Sequence, residues 1–459
     1  MAMGNFYGKL LREWIFPYSH KLWGIDFMGA MTEALINQQL DSEIIRDLQF
    51  KKLKTLLQHA YSTVPYYRDK FDSLGINHED IKTWGDFEQI PLLSKEEIQG
   101  NQDRFLSSRL RSKAVDIGTS GSTGIPLKFH QDKSSIASDL ASHYRILKWW
   151  GIELGDPYIM FWGYGYNPRK AIGIRKKLKA LLYKPVEDRI MNRITIAASD
   201  IAESDLQKDL VVLNKFKPKF IFAYPSGLSL LAEYIQAQDI DGRSLEIKLV
   251  LSFGEILYDH QVDLFNDVFG CPTVNGYGAG EVGAIAGSLP CGHIHTMDDF
   301  IITEVVKEKP TDEFGEIVVT HLENYASPLI RYNLQDLAIP GDGKHECPLG
   351  VGFSTLKQII GRHHDKILLS DGTFIHGNVF SAVLRRIKHV NRFQVIQKES
   401  DCFDILVVTD SEDVMSEVEK KVKAGLRRRV GNKNFRVIRV SEIPTEATGK
   451  FRFVRSETN

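Results

Sequence analysis

The stretch Gly118–Pro126 carries the densest set of groups that could bind an anion. Its first seven residues are three glycines and four hydroxyl residues. Glycine lets backbone amides turn toward a bound anion and hydroxyls add donors, so the loop suits a phosphate chain. It is not a Walker A loop, because Thr123 stands where the second glycine should be. A flexible surface turn is the alternative, and the composition favours phosphate binding. The candidate phosphate ligands are Thr119, Ser120, Gly121, Ser122, Thr123, Gly124 and Lys128.

A second glycine-rich stretch, Gly278–Gly283, fits the G-x-G-x-x-G pattern, with Asp298 at the expected distance. Two features argue against a dinucleotide site. Glu281 would place a carboxylate inside a pyrophosphate loop, and Pro290 follows too soon for a helix of useful length. A carboxylate beside a nucleotide is better explained as a ligand of Mg²⁺, which takes oxygen donors and bridges phosphates. We therefore assign Glu281 to Mg²⁺.

Thiol and imidazole groups recur at Cys291, His293 and His295, and again at Cys347. These are ligands that Zn²⁺ prefers. In an extended strand the three residues of the first group would be spaced about 7 Å apart, too far to share one ion, so Gly292 would have to bend the chain. A structural zinc and a reduced cysteine pair with surface histidines both fit the sequence.

The elements that must position these residues alternate between strand and helix. Tyr158–Trp162, Phe220–Ala223 and Leu249–Phe253 are apolar on both faces and bounded by Gly, Pro or Ser, as in buried parallel strands. Leu206–Phe216 and Ser226–Gln238 are amphipathic and of helix length. This β–α–β alternation predicts an α/β fold with a mainly parallel core.

The pattern changes along the chain and predicts two domains. We expect a large domain over 1–361, divided into a helical region (1–110), an α/β core (111–300) and a strand-rich subdomain (301–361). A small, mobile α+β lid domain is expected over 362–459. The boundary matters because chemistry is often found where two domains meet.

Composition excludes several classes. Of 459 residues, 58 are Lys or Arg and 59 are Asp or Glu, so the net charge of -1 gives no electrostatic case for nucleic acid. No stretch reaches about 18 apolar residues, so we expect no transmembrane segment, and residues 1–30 lack the apolar core of a signal peptide. Four cysteines in so long a chain point to a reducing interior, hence to the cytoplasm. The sequence leaves open whether the chain forms a homodimer.

Five motifs occur in the order typical of adenylate-forming ligases. Thr119–Pro126 resembles their phosphate loop, and Tyr277–Glu281 their Tyr-Gly-x-x-Glu motif. Leu329–Asp336 is similar to their Arg-Tyr-x-x-x-Asp motif. Gly361–Asp365 resembles the Gly-Arg hinge and Thr448–Lys450 the C-terminal Gly-Lys motif.

A narrower likeness is carried by His59–Tyr61 and Val64–Arg68, which resemble the phenylacetate–CoA ligase branch and, within it, the CapK-like capsular polysaccharide proteins. Related members carry a Cys…His…Cys-x-Cys set, and here Leu349 stands at its last position. This favours Cys291, His295 and Cys347 as zinc ligands, with His293 as a further candidate.

The resemblance implies that a carboxylic acid reacts with ATP to give an acyl-adenylate and pyrophosphate, and that the acyl group then passes to coenzyme A. Transfer to an amine or hydroxyl of a surface glycan is the alternative. A third hypothesis is an inactive, nucleotide-binding scaffold, against which the presence of Glu281, Asp336 and Lys450 argues. The implied small molecules are the acid, ATP, Mg²⁺ and coenzyme A.

The resemblance also assigns roles. Lys450 would neutralise charge between the acid and the α-phosphate, with Glu281 and Thr123 as further catalytic residues. Asp336 and Arg362 would hold the ribose, although a surface turn is a competing interpretation of Asp336. His364 stands at the hinge position. The remaining nucleotide-binding candidates are Gly254, Glu255, Tyr277 and Gly278, and those for the acid pocket are Tyr224, Phe253, Tyr277 and Ala279.

Overall fold

The structure is a computed structural model, and it describes most of the chain. The described residues are 7–22, 24–118, 128–162, 186–197, 203–343, 347–362, 366–370, 374–376, 380, 383–384, 387–443 and 453–457.

The first hundred residues are helical, as predicted. A π-helical turn at Leu11–Ile15 is followed by helices α1 (Phe16–Leu22), α2 (Phe27–Asn37), α3 (Ser42–Thr63), α4 (Pro65–Leu74), α5 (Trp84–Glu88) and α6 (Lys95–Gly100). Short 3₁₀ turns lie at His78–Asp80, Gln102–Arg104 and, further on, Gly242–Leu245. Helix α3 buries the stripe Leu53, Leu57 and Ala60, whose helical spacing places one apolar face against the domain core. Thr83 and Ser94 begin α5 and α6 with capping boxes.

The described strands of the large domain follow, together with the helices between them. The strands are β1 (Val115–Gly118), β2 (Lys128–Gln131), β3 (Tyr158–Trp162), β4 (Arg193–Ala197), β5 (Phe220–Ala223), β6 (Leu249–Ser252), β7 (Thr273–Ala279), β8 (Gly283–Ser288), β9 (Ile294–Thr296), β10 (Ile301–Val306), β11 (Gly315–His321), β12 (Tyr332–Pro340) and β13 (Thr355–Arg362). The helices are α7 (Lys133–Trp149), α8 (Glu203–Phe216), α9 (Pro225–Ala237) and α10 (Asp259–Phe269).

Eleven of these strands form one sheet in the order β10-β11-β12-β13-β9-β8-β7-β6-β5-β3-β4. The strands from β4 to β7 are parallel, and those from β7 to β10 are antiparallel. The predicted parallel core is therefore confirmed. The strand-rich stretch over 301–361 continues the same sheet, because β13 pairs with β9. Strands β1 and β2 form a separate hairpin whose connection is residues 119–127.

The C-terminal residues form a second unit with a core of its own. It contains a small hairpin, β14 (Lys366–Leu368) with β15 (Phe374–His376), and a four-stranded sheet with one helix packed on it: β16 (Val390–Glu399), β17 (Cys402–Thr409), α11 (Met415–Val430), β18 (Asn434–Arg439) and β19 (Val454–Ser456). Val418, Val422 and Leu426 of α11 are buried against the sheet. Among all described helices, none combines the length and the apolar character needed to cross a bilayer.

Candidate functional site

The predicted site residues gather where the parallel strands end. Tyr224 follows β5, Phe253–Glu255 follow β6, and Gly280 and Glu281 follow β7. In open α/β sheets ligands bind at the carboxyl ends of the parallel strands. We call this region the carboxyl edge.

Tyr277 and Asp336 meet at this edge although they are 59 residues apart. The Tyr277 hydroxyl donates to Oδ2 of Asp336 over 2.7 Å. Asp336 is half-buried within β12 and stands opposite Arg362 in the register of β12 and β13. The surface-turn interpretation of Asp336 is therefore wrong. The structure brings three of the five motifs together here.

Arg331 anchors the start of the strand that carries Asp336. Its guanidinium pairs with the Glu304 carboxylate at 2.8 Å and donates to the carbonyl oxygen of Ile90 at 2.6 Å. Its backbone lies in the left-handed region with φ of 48°, and its amide donates to Oγ1 of Thr320. The ion pair offsets the burial cost of both groups. Arg331 thus fixes β12 and does not line the carboxyl edge.

Glu281 lies in the turn between β7 and β8 and is half-buried. A side chain on α7 supports this turn, because Oδ1 of Asp139 accepts from the amide of Ala284 over 2.8 Å. Gly283 has φ of +88°, and a Cβ there would lie 2.1 Å from Oδ1 of Asp139. The rejection of a dinucleotide loop is confirmed, because Gly283 begins a strand instead of a helix.

Glu255 is oriented by the beginning of α9. Its two carboxylate oxygens accept from the amide and from the hydroxyl of Ser226, over 3.0 and 2.9 Å. A carboxylate is favoured there by the partial positive charge of a helix N-terminus. The preceding Gly254 needs to be glycine, because its φ is +79° and a Cβ would lie 2.6 Å from the Tyr224 ring. Glu255 and Tyr224 are therefore packed around one glycine.

Four aromatic side chains form a continuous row along the carboxyl edge. Trp162 stacks on Tyr224 with ring centroids 4.1 Å apart, and on Phe222 at 5.2 Å. Phe222 in turn stacks on Phe253 at 5.6 Å. We call Trp162, Phe222, Tyr224 and Phe253 the aromatic row. It includes the two pocket residues predicted from β5 and β6, whereas Tyr277 and Ala279 stand on β7.

Several predicted residues lie outside the described part of the chain. These are Thr119, Ser120, Gly121, Ser122, Thr123, Gly124, His364 and Lys450. The backbones of Lys128 and Arg362 are described in β2 and β13, and their side chains are not. Their roles stay predictions from the sequence.

Cys291, His295 and Cys347 converge in a group that we call the thiol–imidazole cluster. Their ligand atoms all lie within 4.8 Å of one another, with 3.8 Å between the sulfurs and 3.6 Å between Cys291 Sγ and His295 Nε2. Gly292 allows these three residues to approach one another, because its φ of +85° lets the chain reverse between β8 and β9. His295 is buried, so it is not a surface histidine.

The fourth candidate ligand, His293, is not part of this cluster. Its Nδ1 lies 3.2 Å from the carbonyl oxygen of Cys291. His293 precedes β9, so strand alternation does not align it with His295, and its imidazole contacts the Cys291 carbonyl instead of the cluster. The prediction of His293 as a ligand is therefore not supported by this geometry.

Two residues on α7, Asp139 and His143, were not predicted. His143 Nε2 lies 3.4 Å from Oδ1 of Asp139, and its ring contacts Phe253. Their four-residue spacing on a helix indicated that they share a face, but not that this face meets β8. Nothing in the local sequence specified that long-range contact.

Solved structures of known enzymes share the fold of this chain. The chain superposes on 2-hydroxyisobutyryl-CoA ligase in the postadenylation state, in complex with R3-HIB-AMP, with a TM-score of 0.73, at 20% identity and covering 92% of this chain and 91% of that one. With the same enzyme in the thioesterification state, in complex with 2-HIB-AMP and CoA, the TM-score is 0.60. The fold is that of the adenylate-forming enzymes.

The sequence comparisons find homologous proteins. Residues 367–457 match the CapK C-terminal domain. Protein CapK of Staphylococcus aureus is 24% identical over 414 residues, which cover 89% of this chain and 88% of that protein. Phenylacetate-coenzyme A ligase of Pseudomonas putida is 24% identical over 354 residues, covering 74% and 75%. The chain is a homologue of CapK and of the phenylacetate–coenzyme A ligases.

Proposed function

We propose that the protein activates a carboxylic acid with ATP, giving an acyl-adenylate and pyrophosphate, and then transfers the acyl group to the thiol of coenzyme A. The observation that carries the proposal is the hydrogen bond between Tyr277 and Asp336 at the carboxyl edge. It joins two motifs of the adenylate-forming ligases at the place where an α/β sheet binds nucleotides. The named ligases among the relatives support the same reaction.

Asp336 binds the ribose of ATP in this proposal. The Tyr277 hydroxyl orients the carboxylate by donating to Oδ2. An ionised carboxylate has about four acceptor positions, so it can also accept from ribose hydroxyls. Hydrogen bonds to a charged acceptor are the stronger ones, and a prepositioned carboxylate costs little to organise when the nucleotide arrives.

The reaction brings two anions together, so neutralising charge is the main task of the site. Glu281 at the turn after β7 supplies a hard oxygen donor suited to Mg²⁺. When bound, Mg²⁺ would neutralise phosphate charge and orient the leaving pyrophosphate. Lys450 approaches the α-phosphate and the acid carboxylate from the C-terminal unit.

The C-terminal unit is docked close to the carboxyl edge by an aromatic contact. The ring of Phe453, three residues after Lys450, packs edge-on against Tyr258 with centroids 5.7 Å apart. Tyr258 precedes α10 and follows Glu255 by three residues. This contact supports the placement of Lys450 near the reacting groups. In this proposal the C-terminal unit is a mobile lid whose hinge lies near residue 362.

A panel of carboxylic acids with ATP, Mg²⁺ and hydroxylamine tests the adenylation step. The proposal predicts acid-dependent release of pyrophosphate together with a hydroxamate, which forms when hydroxylamine traps the acyl-adenylate. Cleavage of ATP to ADP and phosphate, with no hydroxamate for any acid, would contradict it.

The acyl acceptor is tested with the same acids. We expect the thioester to form with coenzyme A, and the product to be absent when coenzyme A is replaced by an aminosugar such as glucosamine. Product formation with the aminosugar alone would instead assign the chain to acyl transfer in glycan synthesis.

We also propose that the thiol–imidazole cluster holds a structural Zn²⁺. In tetrahedral geometry with zinc–sulfur distances of about 2.3 Å, two thiolates are about 3.8 Å apart and a thiolate and an imidazole nitrogen about 3.6 Å. Two of the three pairs in the cluster have these spacings, and all three ligand atoms lie within 4.8 Å of one another. Nδ1 of His295 lies 3.2 Å from the carbonyl oxygen of Phe353, a partner that fixes the ring as in zinc sites.

A further inference from the structure

The aromatic row ends at a polar, ionisable side chain. His143 extends from α7 and its ring packs on Phe253 with centroids 4.8 Å apart, and against the edge of Phe222 at 6.2 Å. Its side chain is 30% exposed, and Trp162 and Phe222 beside it are half-buried. An imidazole is therefore partly exposed beside the rings of Trp162 and Phe222, whereas Tyr224 and Phe253 are buried.

Asp139 fixes which nitrogen of His143 faces outward. Nε2 lies 3.4 Å from Oδ1 of Asp139, which itself accepts from the Ala284 amide. A carboxylate only accepts hydrogen bonds, so the nitrogen that faces it carries a proton. Of the residues that the structure describes, none bonds to Nδ1 of His143. Nδ1 is thus presented beside the aromatic row.

A hydroxyl group matches this arrangement in either protonation state. Nδ1 of a neutral imidazole accepts a hydrogen bond, and in an imidazolium it donates one. A hydroxyl can do both, whereas a hydrocarbon at that place would deprive the nitrogen of water without replacing it. A wall of four aromatic rings with one such group is typical of pockets in which few polar groups set specificity.

From this geometry we infer that His143 is a specificity-determining residue and that the acid substrate carries a hydroxyl group. The inference rests on the proposed function, since it places the acid against the aromatic row. It names the substrate class, a hydroxy acid with an apolar body, and Asp139 is a positioning residue for the imidazole.

The experiment compares acids that differ by one hydroxyl group. The pairs are phenylacetate with 4-hydroxyphenylacetate, benzoate with 3-hydroxybenzoate, butyrate with 3-hydroxybutyrate, and isobutyrate with 2-hydroxyisobutyrate. For the pair with the highest activity we expect kcat/KM to favour the hydroxy acid by about tenfold, the value of one partly exposed hydrogen bond. His143→Phe, which keeps an aromatic ring, should reduce this ratio to about one.

Two further variants make the result specific. His143→Gln retains a donor and an acceptor, and should retain most of the preference. Lys148→Ala changes an exposed residue of the same helix and should change nothing. If His143→Phe does not fold, as judged by thermal unfolding, His143→Leu takes its place. All ratios are measured by pyrophosphate release, so that changes in total activity cancel.

The outcomes separate this inference from the proposed function. A preference for hydroxy acids that is lost in His143→Phe supports the inference. Adenylation without such a preference, or with one that His143→Phe retains, overturns the inference and leaves the proposed function in place. Absence of pyrophosphate release with every acid overturns both.

Discussion

The carboxyl edge and the thiol–imidazole cluster both bring together residues that are distant in sequence, but they do so differently. At the edge, the buried Tyr277 and the half-buried Asp336 meet on two strands, supported by the ion pair of Arg331. In the cluster, a buried His295 and two cysteines pack beside apolar side chains. The half-buried carboxylate of Asp336 can meet a ligand, whereas the buried imidazole of His295 links segments of the chain to one another. We therefore expect changes at the edge to alter rates, and changes in the cluster to alter stability.

The largest effect is expected at Lys450, whose proposed role belongs to the transition state. Lys450→Ala should lower acid-dependent pyrophosphate release by about 10²–10³-fold, the usual cost of removing a group that stabilises developing charge. The affinity for ATP and the unfolding temperature should change little. Pyrophosphate release at the original rate would remove Lys450 from the mechanism.

Removing metal from the thiol–imidazole cluster should lower stability, whereas Lys450→Ala should lower the catalytic rate. If Zn²⁺ is bound well above its dissociation constant, its loss lowers the free energy of unfolding by about 2–3 kcal/mol. Dialysis against a chelator, or Cys347→Ser, should lower the unfolding temperature, and metal analysis should show one Zn²⁺ per chain before treatment. Cys402→Ser, which changes a half-buried cysteine outside the cluster, is the control. Equal unfolding temperatures with and without the chelator would contradict the proposal.

Asp139 tests whether the edge depends on support from α7. Asp139→Ala leaves the buried amide of Ala284 without its acceptor, so the turn that carries Glu281 should shift. A lost hydrogen bond of this kind costs about 1–2 kcal/mol, and we expect KM for MgATP to rise about tenfold. Asp139→Asn retains an acceptor oxygen and should change KM less. If the two variants have the same KM as the unchanged protein, Asp139 does not position the turn.

The smallest effect concerns stability alone. Burial lowers the pKa of His321 to about 4, while in the unfolded chain its pKa is near the ordinary histidine value of 6.5. Between these values the unfolded chain binds the proton preferentially, so this contribution is favourable above pH 6.5 and is lost as the pH falls toward 4. The free energy of unfolding should fall by about 1 kcal/mol per pH unit in this range. Urea unfolding at pH 7, 6 and 5 measures the slope, which His321→Gln should reduce; an equal slope would contradict the assignment.

The sequence predicted those elements whose bounds are set by nearby residues. The bounds of β3 and β5 were correct because runs that are apolar on both faces and end at turn residues leave little choice. The bend at Gly292 was predicted as a requirement of metal binding, but the contact of His293 with the Cys291 carbonyl was not, since it depends on how the chain turns at Gly292. The contacts of Asp139 and His143 could not be predicted from the sequence, because α7 meets β8 through long-range packing that the sequence of α7 does not specify.

The central claim is that the pair Tyr277–Asp336 forms the nucleotide site, and calorimetric titration with AMP and ATP tests it most directly. Asp336→Asn keeps the shape of the side chain and removes its charge. Loss of a hydrogen bond to a charged acceptor costs about 1.5–3 kcal/mol, so we predict nucleotide affinity lower by about 10–100-fold. The unfolding temperature should be nearly unchanged. An affinity for AMP and ATP equal to that of the unchanged protein would contradict the account.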